Sequence, residues 1–199
     1  PSERIRLIPH GIDPTPFTTP VEASAKERLR HAAGVPTGAR IIGTVARLVP
    51  SKGTDQLIHA FTEVRRSMPE THLLIVGDGT EREALAQLAA SHGIGDSVHF
   101  VGTLPETRVA LSLMDVFVFV PAEREGFGLS LLEAMASGRP VVAVRRGHGA
   151  AWVLEESEAG PLVEDGDRAG LAAAIMRMLQ EGELACRTAG RARAVVLER

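Results

Sequence analysis

Short β-branched apolar runs recur along this chain, and each is followed by a longer amphipathic stretch. The runs occupy residues 41–46, 73–76, 98–101, 116–120 and 141–144, with a shorter sixth at 160–163. They scarcely alternate with polar residues, which is the pattern of parallel strands covered on both faces. Helical stretches at 54–68, 81–92, 106–114, 129–137 and 168–181 lie between and after them, with another from residue 184 onward. Strand and helix in strict alternation predict one α/β domain, a doubly wound parallel sheet with helices on both faces.

The first part of the chain reads differently. Ile5 to Asp13 looks like a short strand entering a turn, and Pro14, Pro16 and Pro20 predict irregular chain to about residue 21. A helix over 22–33 should then stop at Gly34-Val35-Pro36. Residues 1–20 are therefore expected to be an entry segment, and 21–199 the domain proper. Pro1 stands where a natural chain has methionine, which suggests a piece of something longer.

Composition narrows the partners. A formal charge of −3 gives no basic field for nucleic acid or anionic lipid. Cys186 is the only cysteine, so no disulfide framework exists and a reducing cytoplasm is the expected setting. No apolar run reaches the roughly 20 residues that cross a bilayer. The seven histidines and single cysteine show no metal-ligand spacing, and no metal is expected.

Ligands of open parallel sheets bind beyond the carboxyl ends of the strands, so the segments after the strands locate the chemistry. After the first strand come Arg47 and Lys52, two cations five residues apart. Gly77-Asp78-Gly79 follows the second and reads as a strand-to-helix turn with Thr80 capping the next helix. Gly102, Thr103 and Leu104 follow the third, and Arg145-Arg146-Gly147-His148-Gly149 the fifth. The fourth leads into Glu125-Gly126-Phe127-Gly128-Leu129 and a helix carrying Glu133. A glycine-containing loop at a helix N-terminus offers N–H groups to an anion. The two carboxylates beside it call for hydroxyl donors, and phosphates with hydroxyls describe a nucleotide-sugar. Taken singly, Arg47 and Lys52 read as solvated loop charges and Glu125 as a surface acid. Glu133 lies among Leu129, Leu132, Met135 and Ala136, where a carboxylate needs partners from a ligand or from the protein.

These segments together resemble the retaining glycosyltransferases of the group 1 type (family 4), specifically the C-terminal, nucleotide-sugar-binding Rossmann-like half of their GT-B fold. The likeness runs nearly the whole length. It includes Ile8-Pro9-His10-Gly11-Ile12-Asp13, Gly43-Thr44-Val45-Ala46-Arg47-Leu48 with Lys52-Gly53, Val76-Gly77-Asp78-Gly79 and Val98-His99-Phe100-Val101-Gly102. Its most specific part is Glu125-Gly126-Phe127-Gly128-Leu129 with Glu133, seven residues separating the two acids, followed by Gly138-Arg139-Pro140-Val141-Val142-Ala143.

The resemblance implies roles. Arg47 and Lys52 would neutralise the departing diphosphate, and Glu125 would accept from hydroxyls of the donor sugar. Phe127, Gly128 and Leu129 would present backbone N–H groups to sugar and phosphate. Glu133 would accept from both ribose hydroxyls, and backbone at Gly102, Thr103 and Leu104 would meet the base. It also implies a nucleoside-diphosphate sugar as donor substrate, no cofactor, and an acceptor held by an N-terminal domain that this chain lacks. Peripheral membrane contact would belong to the full-length enzyme. In two places the chain departs from the pattern: His10 stands where asparagine is commoner, and Trp152 where a glutamate is usual. Trp152 keeps open a second reading, a nucleotide-sugar-binding or regulatory module without catalysis. A nicotinamide-dependent Rossmann enzyme fails for want of the glycine fingerprint and a ribose acid after the first helix.

Overall fold

A computed structural model describes residues 11–121, 128–146, 153–155 and 157–198. Among these residues six strands form one parallel sheet: β1 (Arg40–Val45), β2 (Thr71–Val76), β3 (Val98–Gly102), β4 (Val116–Phe119), β5 (Val141–Arg145) and β6 (Leu162–Glu164). Their spatial order is β3-β2-β1-β4-β5-β6, with every pair parallel. The chain thus builds outward from β1 in one direction and then returns to build outward from β4 in the other. That reversal opens a crevice between the carboxyl ends of β1 and β4. The expected doubly wound α/β sheet is present.

The helices are α1 (Thr15–Thr18), α2 (Ala23–Ala32), α3 (Thr54–Ser67), α4 (Arg82–Ser91), α5 (Arg108–Leu113), α6 (Leu129–Ala136), α7 (Arg168–Gln180) and α8 (Gly182–Glu198). Successive strand residues face opposite sides of the sheet. Ile42, Leu73, Ile75, Val118 and Val142 therefore join a core with α3, α4 and α7, through Phe61, Leu85 and Ile175 among others. Ile41, Leu74, Val76, Phe117 and Val141 join the other, with α5, α6 and α8, through Leu111, Leu131 and Ala192. All six residues of β2 are buried. Each large side chain so enclosed, such as Phe61 or Phe117, contributes about 1.5–3 kcal/mol over its exposed state. The absence of alternation in the sequence has this cause.

Polar links fix the strand ends. Ile41 donates to Asp115 Oδ2 and Asp115 donates to the Ile41 carbonyl, both at 2.7 Å, which locks β1 to the start of β4. Asp167 caps α7 by accepting from Gly170 N–H at 2.8 Å.

Three local expectations need correction. Residues 15–18 form one helical turn despite the prolines, because Pro16 falls in its first turn, where no intrahelical donor is needed, and Thr15 donates to Asp13 Oδ1 at 2.9 Å. Thr80 does not cap α4; its N-cap is Glu81, and the turn before it is held by Asp78, which accepts from Gly79 N–H and from Arg82. Helix α5 begins at Arg108 rather than near 106, with Thr107 in the N-cap position and its hydroxyl donating to Glu133 rather than to the helix end. The strand expected at residues 5–8 lies outside the described residues. Ile12 and Phe17, from the expected entry segment, pack on the second core.

Candidate functional site

The first wall of the crevice is the segment after β1. Leu48, fully buried, nails it to the core. Its backbone is stitched to the β2 exit: Ala46 donates to the Val76 carbonyl at 3.0 Å, Leu48 to Asp78 at 2.9 Å, and Glu81 back to Leu48 at 2.9 Å. Residues 50–52 then make a tight 3-10 turn into α3. Pinning Leu48 leaves Arg47 exposed on one side of it and Lys52 half-buried on the other, and both line the same cleft.

The opposite wall is the N-terminus of α6. Gly128 is its N-cap, with φ +76°, and a Cβ there would stand 2.4 Å from Phe119 Cζ. Only glycine satisfies both the left-handed backbone and the contact with the aromatic ring. The helical ladder starts with Leu131 and Leu132 donating to the Gly128 carbonyl, so the N–H groups of Leu129 and Ser130 precede it. Gly128, Leu129 and Ser130 close the cleft, whose volume is about 390 Å³. Leu129 is 46% exposed beside it, unusual for a large apolar side chain in this protein.

Glu133 sits one turn further along α6, half-buried. Thr107 Oγ1 donates to its Oε2 at 2.9 Å, and this is where the hydroxyl missing from the α5 cap goes. Burial pushes the Glu133 carboxyl above the ordinary carboxylate value, and the Thr107 hydroxyl pulls it part of the way back. Among the described residues Thr107 is thus a partner to an acid that still carries a desolvation cost.

The structure brings Arg47, Lys52, Gly128 and Leu129 to one cleft. Gly102, Thr103 and Leu104 are not in its lining; they leave the edge strand β3, with Thr103 exposed and Leu104 half-buried. Three residues beyond Leu104, Thr107 reaches across to Glu133. Glu125, Phe127 and Trp152 lie outside the described residues. Sequence reasoning missed Ser130, Phe119 and Thr107. The first two follow from the loop geometry at Gly128, and Thr107 was hidden because its partner Glu133 lies 26 positions away in sequence. Among the described residues, no group of three or more His, Cys, Asp or Glu side chains is placed to hold a metal ion. No described helix is long and apolar enough to cross a membrane.

A parallel sheet with its cleft at the switch point, cations on one wall and a helix N-terminus on the other, defines a Rossmann-like α/β domain. Residues 25–195 match the family model of the glycosyl transferases group 1, and the chain belongs to that family. It is 33% identical over 189 residues to a GDP-mannose-dependent alpha-(1-6)-phosphatidylinositol monomannoside mannosyltransferase of Mycolicibacterium smegmatis, covering 91% of this chain and 48% of the relative. It is 36% identical over 190 residues to a D-inositol 3-phosphate glycosyltransferase of Acidothermus cellulolyticus, covering 90% of this chain and 41% of the relative. Among solved structures, Anabaena Alr3699/HepE in complex with UDP superposes with a TM-score of 0.84 at 28% identity, over 95% of this chain and 51% of that one. The chain thus spans about half the length of the relatives it matches, as one Rossmann-like half of a GT-B fold does.

Proposed function

We propose that this chain is the donor-binding, C-terminal half of a retaining glycosyltransferase, and that its cleft takes the diphosphate of a nucleoside-diphosphate sugar. The observation that carries the reading is the convergence of Arg47, Lys52 and the α6 N-terminus on one crevice at the switch point. Departure of a sugar leaves negative charge on the diphosphate. Fixed cations and helix N–H groups stabilise that charge as it develops, an effect worth about 2.7–4 kcal/mol per preorganised donor. The reading assigns this task to side chains and helix dipole rather than to a metal.

Glu133 takes the ribose hydroxyls, with Thr107 holding its second oxygen. Backbone around Thr103 and Leu104 meets the base, and Glu125 accepts from the sugar. The acceptor is held by a second domain, so transfer belongs to the whole enzyme. The complexes of HepE with UDP and with UDP-glucose support a nucleotide-sugar as the ligand class. Titration calorimetry with uridine, guanosine and adenosine diphosphates tests the reading. Saturable binding that weakens roughly 10- to 150-fold in the Lys52→Ala and Arg47→Ala variants is expected; no heat with any of the three at millimolar concentration would overturn it.

A further inference from the structure

A polar cluster stands directly behind the phosphate wall, made of residues outside the cleft lining. Arg146, at the exit of β5, forms a two-pronged pair with Asp165, at the exit of β6: Nε donates to Oδ2 at 2.9 Å and Nη2 to Oδ1 at 2.6 Å. Its remaining nitrogen, Nη1, donates to the Pro121 carbonyl at 3.4 Å, the point where the chain leaves β4 for the Glu125 loop. The same Nη1 lies 3.1 Å from where a Cβ on Gly53 would stand, and Val120 Cγ1 lies 2.6 Å from that point. Gly53, with φ +58°, follows Lys52 directly, so the turn that carries Lys52 packs against both the β4 exit and the guanidinium.

Gln56 completes the cluster. It is 5% exposed, in the first turn of α3. In the orientation that satisfies both ends of its amide, the nitrogen donates to Asp165 Oδ1 at 3.1 Å and the oxygen accepts from Gly166 N–H at 3.0 Å. Four segments therefore meet at one fork: the Lys52 turn with the start of α3, and the exits of β4, β5 and β6. The Arg146 side chain is 20% exposed, and a partly buried fork of this geometry holds its orientation far better than a solvated ion pair.

We propose that Arg146, fixed by Asp165 and Gln56, is a positioning residue for the donor site. It holds the Lys52 turn and the β4 exit at Pro121 in fixed register with one another, beside the cleft that takes the diphosphate. This inference rests on the diphosphate reading of the cleft. Arg146 makes no contact with the ligand. Its guanidinium is turned toward Asp165 and Pro121, and what it delivers to the cleft is the spacing between two loops. Lysine cannot substitute, because a single ammonium cannot make the fork and reach the Pro121 carbonyl as well.

Calorimetric titration of the chain with UDP, GDP and ADP, alongside melting temperatures, tests the clamp in four variants: Arg146→Met, Arg146→Lys, Asp165→Asn and the double Arg146→Met/Asp165→Asn. The unsubstituted chain is the control for the cleft reading; if it binds none of the three, that reading falls and takes the clamp with it. Where it binds, Arg146→Met, Arg146→Lys and Asp165→Asn should each weaken binding about tenfold, and the double variant no more than either single, since coupled partners are not additive. Loss in Arg146→Met with unchanged or tighter binding in Asp165→Asn would mean that Arg146 touches phosphate itself, and would overturn the clamp. Full recovery in Arg146→Lys would show that charge alone suffices, and would overturn it too. Lowered melting temperatures with unchanged affinities would reduce the fork to a brace of the fold, with the cleft reading intact.

Discussion

Replacing Glu133 by glutamine separates a ribose-binding acid from a structural one, because the two roles move affinity and stability in different directions. Thr107 uses one lone pair of Oε2, and a carboxylate has about four acceptor sites, so two ribose hydroxyls can still be accommodated. Glutamine keeps one acceptor oxygen, enough for Thr107, and turns the other end into a donor that faces a ribose donor. The loss is one hydrogen bond to a charged group, about 1.5–3 kcal/mol, or roughly 10- to 150-fold in affinity. Stability moves the other way. Burial raises the folded carboxyl above its ordinary 4.5, so the folded state binds protons more readily than the unfolded one. Stability is then fullest below 4.5 and is lost as pH rises toward the raised folded value, and at pH 7 the whole desolvation cost is present. The amide carries no such cost, so Glu133→Gln should melt no lower than the parent at pH 7. The assay pairs titrations of ribo- and 2′-deoxyribonucleoside diphosphates with a melting curve. A large fall for the ribo form, little change for the deoxy form and an undiminished melting temperature are expected. An unchanged ribo/deoxyribo ratio with a lowered melting temperature would refute the argument and leave Glu133 as the acceptor of Thr107 alone.

Lys52→Ala and Arg47→Ala should each weaken diphosphate binding by about 1.5–3 kcal/mol while leaving binding of the bare nucleoside nearly unchanged in the same calorimeter; equal losses for both ligands would make them supports of the fold. Gly128→Ala combines a left-handed backbone with a clash on Phe119, and should cost about 2 kcal/mol or more in denaturant unfolding along with the loss of nucleotide binding. A nucleoside diphosphate at about one hundred times its dissociation constant should add about 2.7 kcal/mol of stability, read as a raised melting temperature, while a transfer assay with labelled donor finds no product from this chain alone. His72 and His99 stack with Nδ1 and Nε2 2.9 Å apart, and burial depresses both below the ordinary 6.5; their contribution to stability should be full above pH 6.5 and fall as pH drops through the depressed values, a decline that His99→Gln should reduce.

Much of the fold was legible because burial on both faces erases alternation, and that erasure is visible in runs such as residues 73–76 and 116–120. Strand limits moved by only a residue or two. Helix starts were less secure where a side chain had two uses. Thr107 falls inside the stretch read as helical, yet it takes the N-cap position and its hydroxyl serves an acid 26 positions later. Thr80 looks like a cap, but Asp78 and Arg82 hold that turn instead. Pro14 and Pro16 were read as breakers, whereas proline suits the first turn of a helix. The Arg47–Lys52 pair was legible as a motif but not as a geometry. What places the two cations on one cleft is the buried Leu48 between them, together with backbone bonds to the β2 exit. The Arg146–Asp165 fork was not legible, because it depends on the exits of β5 and β6 lying side by side across 19 positions of sequence.

The cleft is thus braced from two directions by polar links that its lining residues do not make. On one side Thr107 ties α6 to the segment that follows β3, three residues beyond the Leu104 backbone assigned to the base. On the other, Arg146 ties the β4 exit to Asp165 at the exit of β6, and Asp165 accepts from Gln56 in the first turn of α3. The strands themselves are enclosed by two apolar cores. Loops at strand ends have no such cores, and each added residue there multiplies the conformations that must be excluded before a ligand is met in one geometry. Partly buried, charge-assisted links at the rim remove those conformations at the cost of desolvation, which Glu133 records in its raised carboxyl. That cost is incurred beside the cleft, where, on the proposed donor-site reading, ordering two loops increases affinity for a ligand that touches both.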